Sequence, residues 1–574
     1  MSYIKPKPAL GLGLRCLSLV LAFPLASSSP YAFAQTAHTA LTPAEARTAR
    51  AFEAARKLGS PELYSLLVAM PKGADLHMHL SGAIYAETFL AEAVKQNLCV
   101  DPTALRFVPQ EPVKEGSKQM TCGTKAVPAS IALLDQKLYD ELIDAFSMRS
   151  FVPSAGISGH DQFFATFERF GGLKNQNGAW LDEVATRAAA QNEQYLEIMI
   201  TPPFTHAASL GYKIGWPEGA DKSITPDQLA KLRDQLLADG LRDEVPADRK
   251  EARQALNRRR QIEHCPVPSA NAANSAAEAA APPTANTAPT PEPAAETLSA
   301  APSPGCGVKI HFLYQVLRGY APQQVFAQTL LGFETANNNP DFVGINFVMP
   351  EDGRISMQDY HLQMQMLDYL HTVYPKVRIS LHAGELAPGL VPPEGLSFHI
   401  REAIDLGHAL RIGHGVDVLY ETDAPALLKE MDEKHIMVEI NLTSNDVILG
   451  VKGHDHPLHA YMAAHVLVAL STDDEGVSRI DLTHEYVRGV EDQDLRYIDL
   501  KNMARTSLEH AFLAGDSLWS SPDVFTRRVP DCAAPITPTS EPTARCSDFL
   551  KANERAAQQW ELEHRFAIFE AATH

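Results

Sequence analysis

Two histidines separated by one residue, His77 and His79, sit in the stretch Gly73-Ala-Asp-Leu-His-Met-His-Leu-Ser-Gly82, just after an apolar-alternating run. Alternate side chains of a β-strand share a face, so the two imidazoles lie side by side and could hold a metal ion. Taken alone, the pair reads more readily as two surface histidines on an edge strand. Four more groups follow apolar runs in the same manner: His382-Ala-Gly-Glu385, His414-Gly415, Thr443-Ser-Asn445 and Asp473-Asp474. His77, His79, a third histidine and a carboxylate suit a catalytic zinc with one open position, which lowers the pKa of bound water to about 7. A glutamate shortly beyond a ligating histidine can move protons to or from a substrate.

Something must bring these groups together, and the run pattern says what. Eight mostly apolar segments read as strands: the one ending at His79, then residues 194–200, 308–314, 342–348, 377–382, 410–414, 436–441 and 466–471. Helix-compatible stretches such as 357–373, 396–406 and 424–434 separate most of them. Buried parallel strands alternating with helices predict an α/β fold, a (β/α)₈ TIM barrel, and such a barrel builds its active site at the C-terminal ends of its strands. A doubly wound open sheet is the alternative, without a glycine-rich phosphate loop to support it. Glu439, on strand seven, is a candidate partner of a ligand. Phe163, Phe167 and Phe170 repeat on one helix face and read as core packing. His454, His456 and His459 read as a polar loop rather than a second metal site.

The flanks and excursions divide the chain. Residues 1–34 have a basic start, a short apolar core and the small-residue pattern Ala32-Phe-Ala34 of a secretory signal peptide, so the remainder is expected to be exported to a periplasm or the medium. Residues 35–70 form an N-terminal helical segment, opened by the capping-box sequence Thr42-Pro-Ala-Glu45. The barrel is expected over 71–515, with insertions at about 99–122 and 206–306. Within the second, residues 267–305 are almost wholly Ala, Pro, Ser, Thr and Asn, a composition that predicts disorder. A loop and a final amphipathic helix fill 516–574. Beyond the leader, six cysteines fall as three local couples, Cys99 and Cys122, Cys265 and Cys306, Cys532 and Cys546; pairing within couples is the simplest of fifteen connectivities. The net charge of −20 argues against a nucleic-acid partner, and no later run is long enough to span a membrane.

Pro71-Lys-Gly-Ala-Asp-Leu-His77-Met-His79-Leu-Ser-Gly-Ala83, His382-Ala-Gly-Glu385, Arg411-Ile-Gly-His414-Gly and Ser471-Thr-Asp473-Asp474 together resemble the four signature blocks of the adenosine deaminases, in family order. The resemblance implies that His77, His79, His382 and Asp473 bind one zinc ion per subunit. It implies that Glu385 hands a proton to purine N1, that His414 orients and helps deprotonate the attacking water, and that Asp474 hydrogen-bonds N7. The implied reaction converts adenosine or deoxyadenosine to the inosine-type product and ammonia. Two departures concern the sugar and the base. Ser81 stands where better-known members have a ribose-contacting aspartate, with Glu351 or Asp352 also in reach. The usual strand-four glycine is missing, which leaves Gly384 as the nearest candidate for a backbone contact to the base. The signal peptide and the first insertion are similar to the secreted, growth-factor-related branch of the family.

Two other readings stand beside this one. A related barrel hydrolase would act on another aminopurine such as adenine, or on an amide ring. A non-catalytic nucleoside-binding protein would have no need of Glu385 and His414. The cytidine-type zinc signature His-x-Glu with Pro-Cys-x-x-Cys is absent.

Overall fold

A computed structural model describes residues 41–573, apart from 115, 175 and 267–300. The leader and most of the Ala/Pro-rich stretch lie outside the described residues. Residues 301–305, expected to be disordered, are described: they lead into a 3₁₀ turn, Pro304–Gly307, beside the buried Arg259, which donates to the Val308 carbonyl at 3.0 Å.

All eight expected strands form, and they form one parallel sheet. We number them β1 (Gly73–His79), β2 (Glu193–Ile200), β3 (Lys309–Leu317), β4 (Phe342–Val348), β5 (Arg378–Ala383), β6 (Arg411–His414), β7 (Met437–Ile440) and β8 (Leu467–Leu470), in that spatial order. Their apolar runs are buried on both faces, which is why they read as near-continuous hydrophobic segments. Closure between β8 and β1 comes just past β8, where the Asp473 amide donates to the His77 carbonyl (2.8 Å) and the His79 amide to the Asp473 carbonyl (3.2 Å). The first and last strands are therefore joined at the rim where the candidate residues lie.

The 206–306 excursion is more than an insertion. Its helices Thr205–Ile214, Pro226–Ala238 and Val245–Ile262 belong to the crossover from β2 to β3, packing against Asn177–Ala190 and Pro322–Ala336. The first insertion folds as short antiparallel pieces, with Cys99–Asp101 paired to Arg106–Val108 and Val127–Pro128. Disulfides join Cys99 to Cys122, Cys265 to Cys306 and Cys532 to Cys546, the local pairing. The helix Pro43–Leu58 opens with the expected capping box on Thr42. The last helix, Glu554–Ala572, lies against the opposite end of the barrel, where Gln194 donates to the Gln558 carbonyl (2.7 Å) and His311 meets Glu554 (3.0 Å). No helix among the described residues is long and apolar enough to cross a membrane.

An ion chain runs through the barrel interior. Arg411, fully buried, bridges Glu197 (2.8 Å) and Glu439 (2.6 Å), and the Phe512 ring covers its guanidinium at 3.9 Å. Burying a guanidinium is tolerable only with such pairing on more than one side.

Candidate active site

β1 presents His77 and His79 to the barrel mouth, β5 presents His382, and Asp473 follows β8. His382 Nε2 lies 3.1 Å from His77 Nε2 and 3.2 Å from His79 Nε2; Asp473 Oδ1 is 3.5 and 3.3 Å from the same two nitrogens. All four groups are buried. A tetrahedral ion with bonds of about 2.0–2.1 Å sets its ligands roughly 3.3 Å apart, so the spacing fits.

The outer contacts say more than the spacing. His77 Nδ1 meets Glu439 Oε2 (2.7 Å), His79 Nδ1 meets Gln315 Oε1 (2.9 Å) and His382 Nδ1 meets Asn346 Oδ1 (2.8 Å). The Asn346 oxygen also accepts the His382 amide at 3.3 Å, which fixes the orientation of that side chain. Each imidazole thus donates outward from Nδ1 and turns the lone pair of Nε2 inward. Ser444 Oγ donates to the outer oxygen of Asp473 at 2.6 Å. With Nδ1 of each ring engaged outward, three ring nitrogens and a carboxylate oxygen converge, an arrangement suited to surrounding a cation. The residues fit a zinc-type ion.

Backbone geometry aims these groups. His414 and Asp473, each just at a strand end, adopt left-handed φ values of 69° and 60°. Non-glycine residues hold this region at a cost of about 1–3 kcal/mol, and it recurs where a strand must turn a side chain into a site. Gly82 serves Asp474 by having no side chain, since a Cβ there would fall 1.5 Å from Asp474 Oδ1.

Beside the cluster a cavity of about 400 Å³ is lined by Ser81, Glu385, Asp473 and Asp474 together with Phe163, Phe164, Phe167, Leu317, Val348, Met349, Pro350 and Ile448. Burial, then the charges of Asp473 and Glu351, push the Glu385 carboxyl well above the usual range. Burial and Asp473 push Asp474 up to about 7, so near neutrality it is partly a hydrogen-bond donor. Burial holds His414 down to about 3, an uncharged imidazole. Asp474 Oδ1 and His414 Nε2 are buried without a protein partner among the described residues.

Several readings from the sequence change here. Gly384 offers no backbone group to a base: its amide donates to Glu351 Oε1 (3.1 Å) and its carbonyl accepts from Val416 (2.7 Å). Its φ of +75° and the Asp417 carboxylate 2.4 Å from a notional Cβ explain the glycine instead. Glu351 is not in reach of a sugar. It is buried behind the loop, also accepting the Glu385 amide (2.8 Å) and meeting His399 (2.5 Å). Burial raises its pKa, but His399 and Arg318 outweigh that and lower it to about 2, so it holds the loop as a carboxylate. Asp352 is engaged by His160 at 3.0 Å. The aromatic stripe is shared: Phe170 stacks on Phe89 in the core, while Phe163 and Phe167 wall the cavity. In the histidine loop, His454 and His459 are exposed but His456 is buried against Asn445 (3.0 Å).

Gln315 and Asn346 carry no spacing signal, and sequence reasoning missed both of them, and Ser444 within Thr443-Ser-Asn445, as partners of the converging groups. The available signal was a lone amide, or a hydroxyl, at the C-terminal end of an apolar strand run.

The model of the family described as "Adenosine deaminase" matches residues 296–518, a span holding His382, Glu385, His414, Asp473 and Asp474. The adenosine deaminase of Shewanella loihica is 36% identical over 137 residues, 24% of this chain and 38% of that protein. That of Clostridium perfringens is 35% identical over 136 residues, with the same shares. The chain thus spans well under half the length of the curated relatives it matches. Among solved structures, an adenine deaminase from Arthrobacter aurescens aligns with a TM-score of 0.44 at 16% identity, covering 78% of this chain and 95% of that one.

Proposed function

We propose that the chain belongs to the adenosine deaminase family, a reading supported by the match over residues 296–518 and the likeness to curated members, and that it is a zinc-dependent aminohydrolase converting adenosine or deoxyadenosine to the inosine-type product and ammonia. One observation carries the reading: Glu385 and Asp474 line one cavity with His79, His382 and Asp473, His77 converges on the same three groups from behind the wall, and His414 packs against His77 and His382. His77, His79, His382 and Asp473 would hold the zinc ion, which when bound would supply Lewis acidity for activating water near neutral pH. Glu385, held in its protonated form, is suited to give a proton to purine N1 and so make C6 more electrophilic. A protonated Asp474 is suited to donate to N7, which only accepts. The apolar walls exclude water and strengthen both hydrogen bonds.

The cavity also bears on the substrate. Among the described residues no lysine or arginine lines it and Glu168 does, which favours an uncharged aminopurine over a nucleotide, whose phosphate calls for cationic partners. Adenine is a second reading, favoured by the outer walls of Phe164, Phe167, Met349 and Ile448, where Ser81 offers a lone hydroxyl. We place the protein outside the cytoplasm, a reading supported by the leader-like first residues and the three disulfides.

Ultraviolet absorbance would follow adenosine, deoxyadenosine, adenine and AMP with the zinc-loaded protein, with and without a chelator. Turnover of a nucleoside that stops on chelation is the expected result. No turnover of any aminopurine would overturn the proposal, and preference for the free base would select the second reading.

A further inference from the structure

The buried His456 is tied to the site by a chain of hydrogen bonds with a fixed direction. The Leu458 amide donates to His456 Nδ1 (3.2 Å), and a backbone N–H can only donate. His456 therefore carries its proton on Nε2, which donates to Asn445 Oδ1 at 3.0 Å. That turns the Asn445 amide nitrogen toward His414, where it donates to Nδ1 at 2.9 Å; Asn441 Nδ2 approaches the same atom at 3.4 Å. Reversing the chain would set a protonated His456 Nδ1 against the Leu458 N–H. Burial holds His456 down to about 3, so it stays uncharged and the chain keeps one direction. The proton of His414 then resides on Nε2, the buried atom with no protein partner among the described residues.

We infer that His456 is a positioning residue for the deamination: through Asn445 it holds His414 as the Nε2–H tautomer, so that His414 meets the attacking oxygen as a hydrogen-bond donor and not as its base. The inference rests on the proposed function and revises the role that the family resemblance implies for His414. The proton balance closes without this imidazole. Glu385 gives its proton to N1 and recovers one from the water as the O–C6 bond forms. The second water proton goes to the amino group, which leaves as ammonia when the C6–N bond breaks.

The test pairs a spectrum with kinetics. In ¹⁵N-histidine-labelled zinc protein, the His414 signals, assigned by their loss in His414→Asn, should show Nε2–H and an unprotonated Nδ1. His456→Leu should disturb that pattern and lower kcat by about 10–100-fold with KM nearly unchanged, the scale of losing an outer hydrogen-bond partner. His456→Gln, whose amide N–H can still donate to Asn445, should restore most of both. An Nδ1–H His414 in the parent protein would overturn the inference. So would an unchanged kcat in His456→Leu, or a glutamine variant no better than leucine at equal zinc content and melting temperature. The spectrum needs no turnover, so it decides the tautomer even if His456→Leu does not fold or no aminopurine is a substrate. Absent turnover instead counts against the proposed function.

Discussion

At the scale of single residues, the outward hydrogen bonds of the ligand rings and the groups in the cavity make separable predictions. Glu385→Gln keeps the shape of the cavity but cannot deliver a proton, so activity should fall by about 10²–10⁴-fold. Glu385 lies outside the converging four, so zinc measured by atomic absorption should remain; zinc loss in this variant would contradict its assigned role. Asn346→Leu should do the reverse. It removes the acceptor that orients His382, and zinc affinity measured by chelator competition should drop about 10–100-fold. Ser81→Asp tests the sugar side: a new charged acceptor should raise the adenosine-to-adenine ratio of kcat/KM by roughly tenfold or more, and an unmoved ratio would place the sugar elsewhere.

At the scale of elements, the barrel was legible because its strands are buried on both faces and leave apolar runs that polar helices interrupt. β4 has the residue range its run implied. The converging groups were legible because His77 and His79 share a strand face and the others recur at strand ends. Glu439 could be singled out as a charge inside an apolar strand. His456 could not, since a buried histidine in a loop looks the same in sequence as its exposed neighbours. Glu351 was misjudged because chain position gave no sign that it folds behind the 382–385 loop. The helix Gly159–Arg169, which walls the cavity, is linked to the segment after β4 by His160 and Asp352. Burial lowers the His160 pKa, but Asp352 outweighs it and raises it overall. A raised histidine stabilises fully below its unfolded value of about 6.5, and the contribution fades as pH rises through the folded value. Amides of residues 159–169 should therefore exchange faster as pH climbs past that window, after correction for intrinsic rates, and His160→Asn should remove the difference.

At the scale of the whole molecule, the interior ion chain Glu197–Arg411–Glu439–His77 connects the barrel's core to the converging site, so an ion bound at one end stabilises the assembly that supports it. Zinc at 1,000 times its dissociation constant adds about 4 kcal/mol to a folded state that alone binds it. Stripping the metal should therefore lower the melting temperature by several degrees, and zinc alone should restore it; calorimetry of apo and zinc-loaded samples checks this. An unchanged transition would mean that the four groups do not hold an ion in the folded protein.

Asp473 touches both β1 histidines and closes the barrel seam through its own backbone. The site accordingly joins groups about 400 residues apart in sequence, among the longest loops this chain can close, and long-range closure is slow. A growing chain has no complete ion-binding site until its last strand has been made and docked. Metal capture would then report the end of folding, and stopped-flow zinc uptake during refolding should lag behind the packing of the half-buried Trp180, on the earlier helix Asn177–Ala190, against the core.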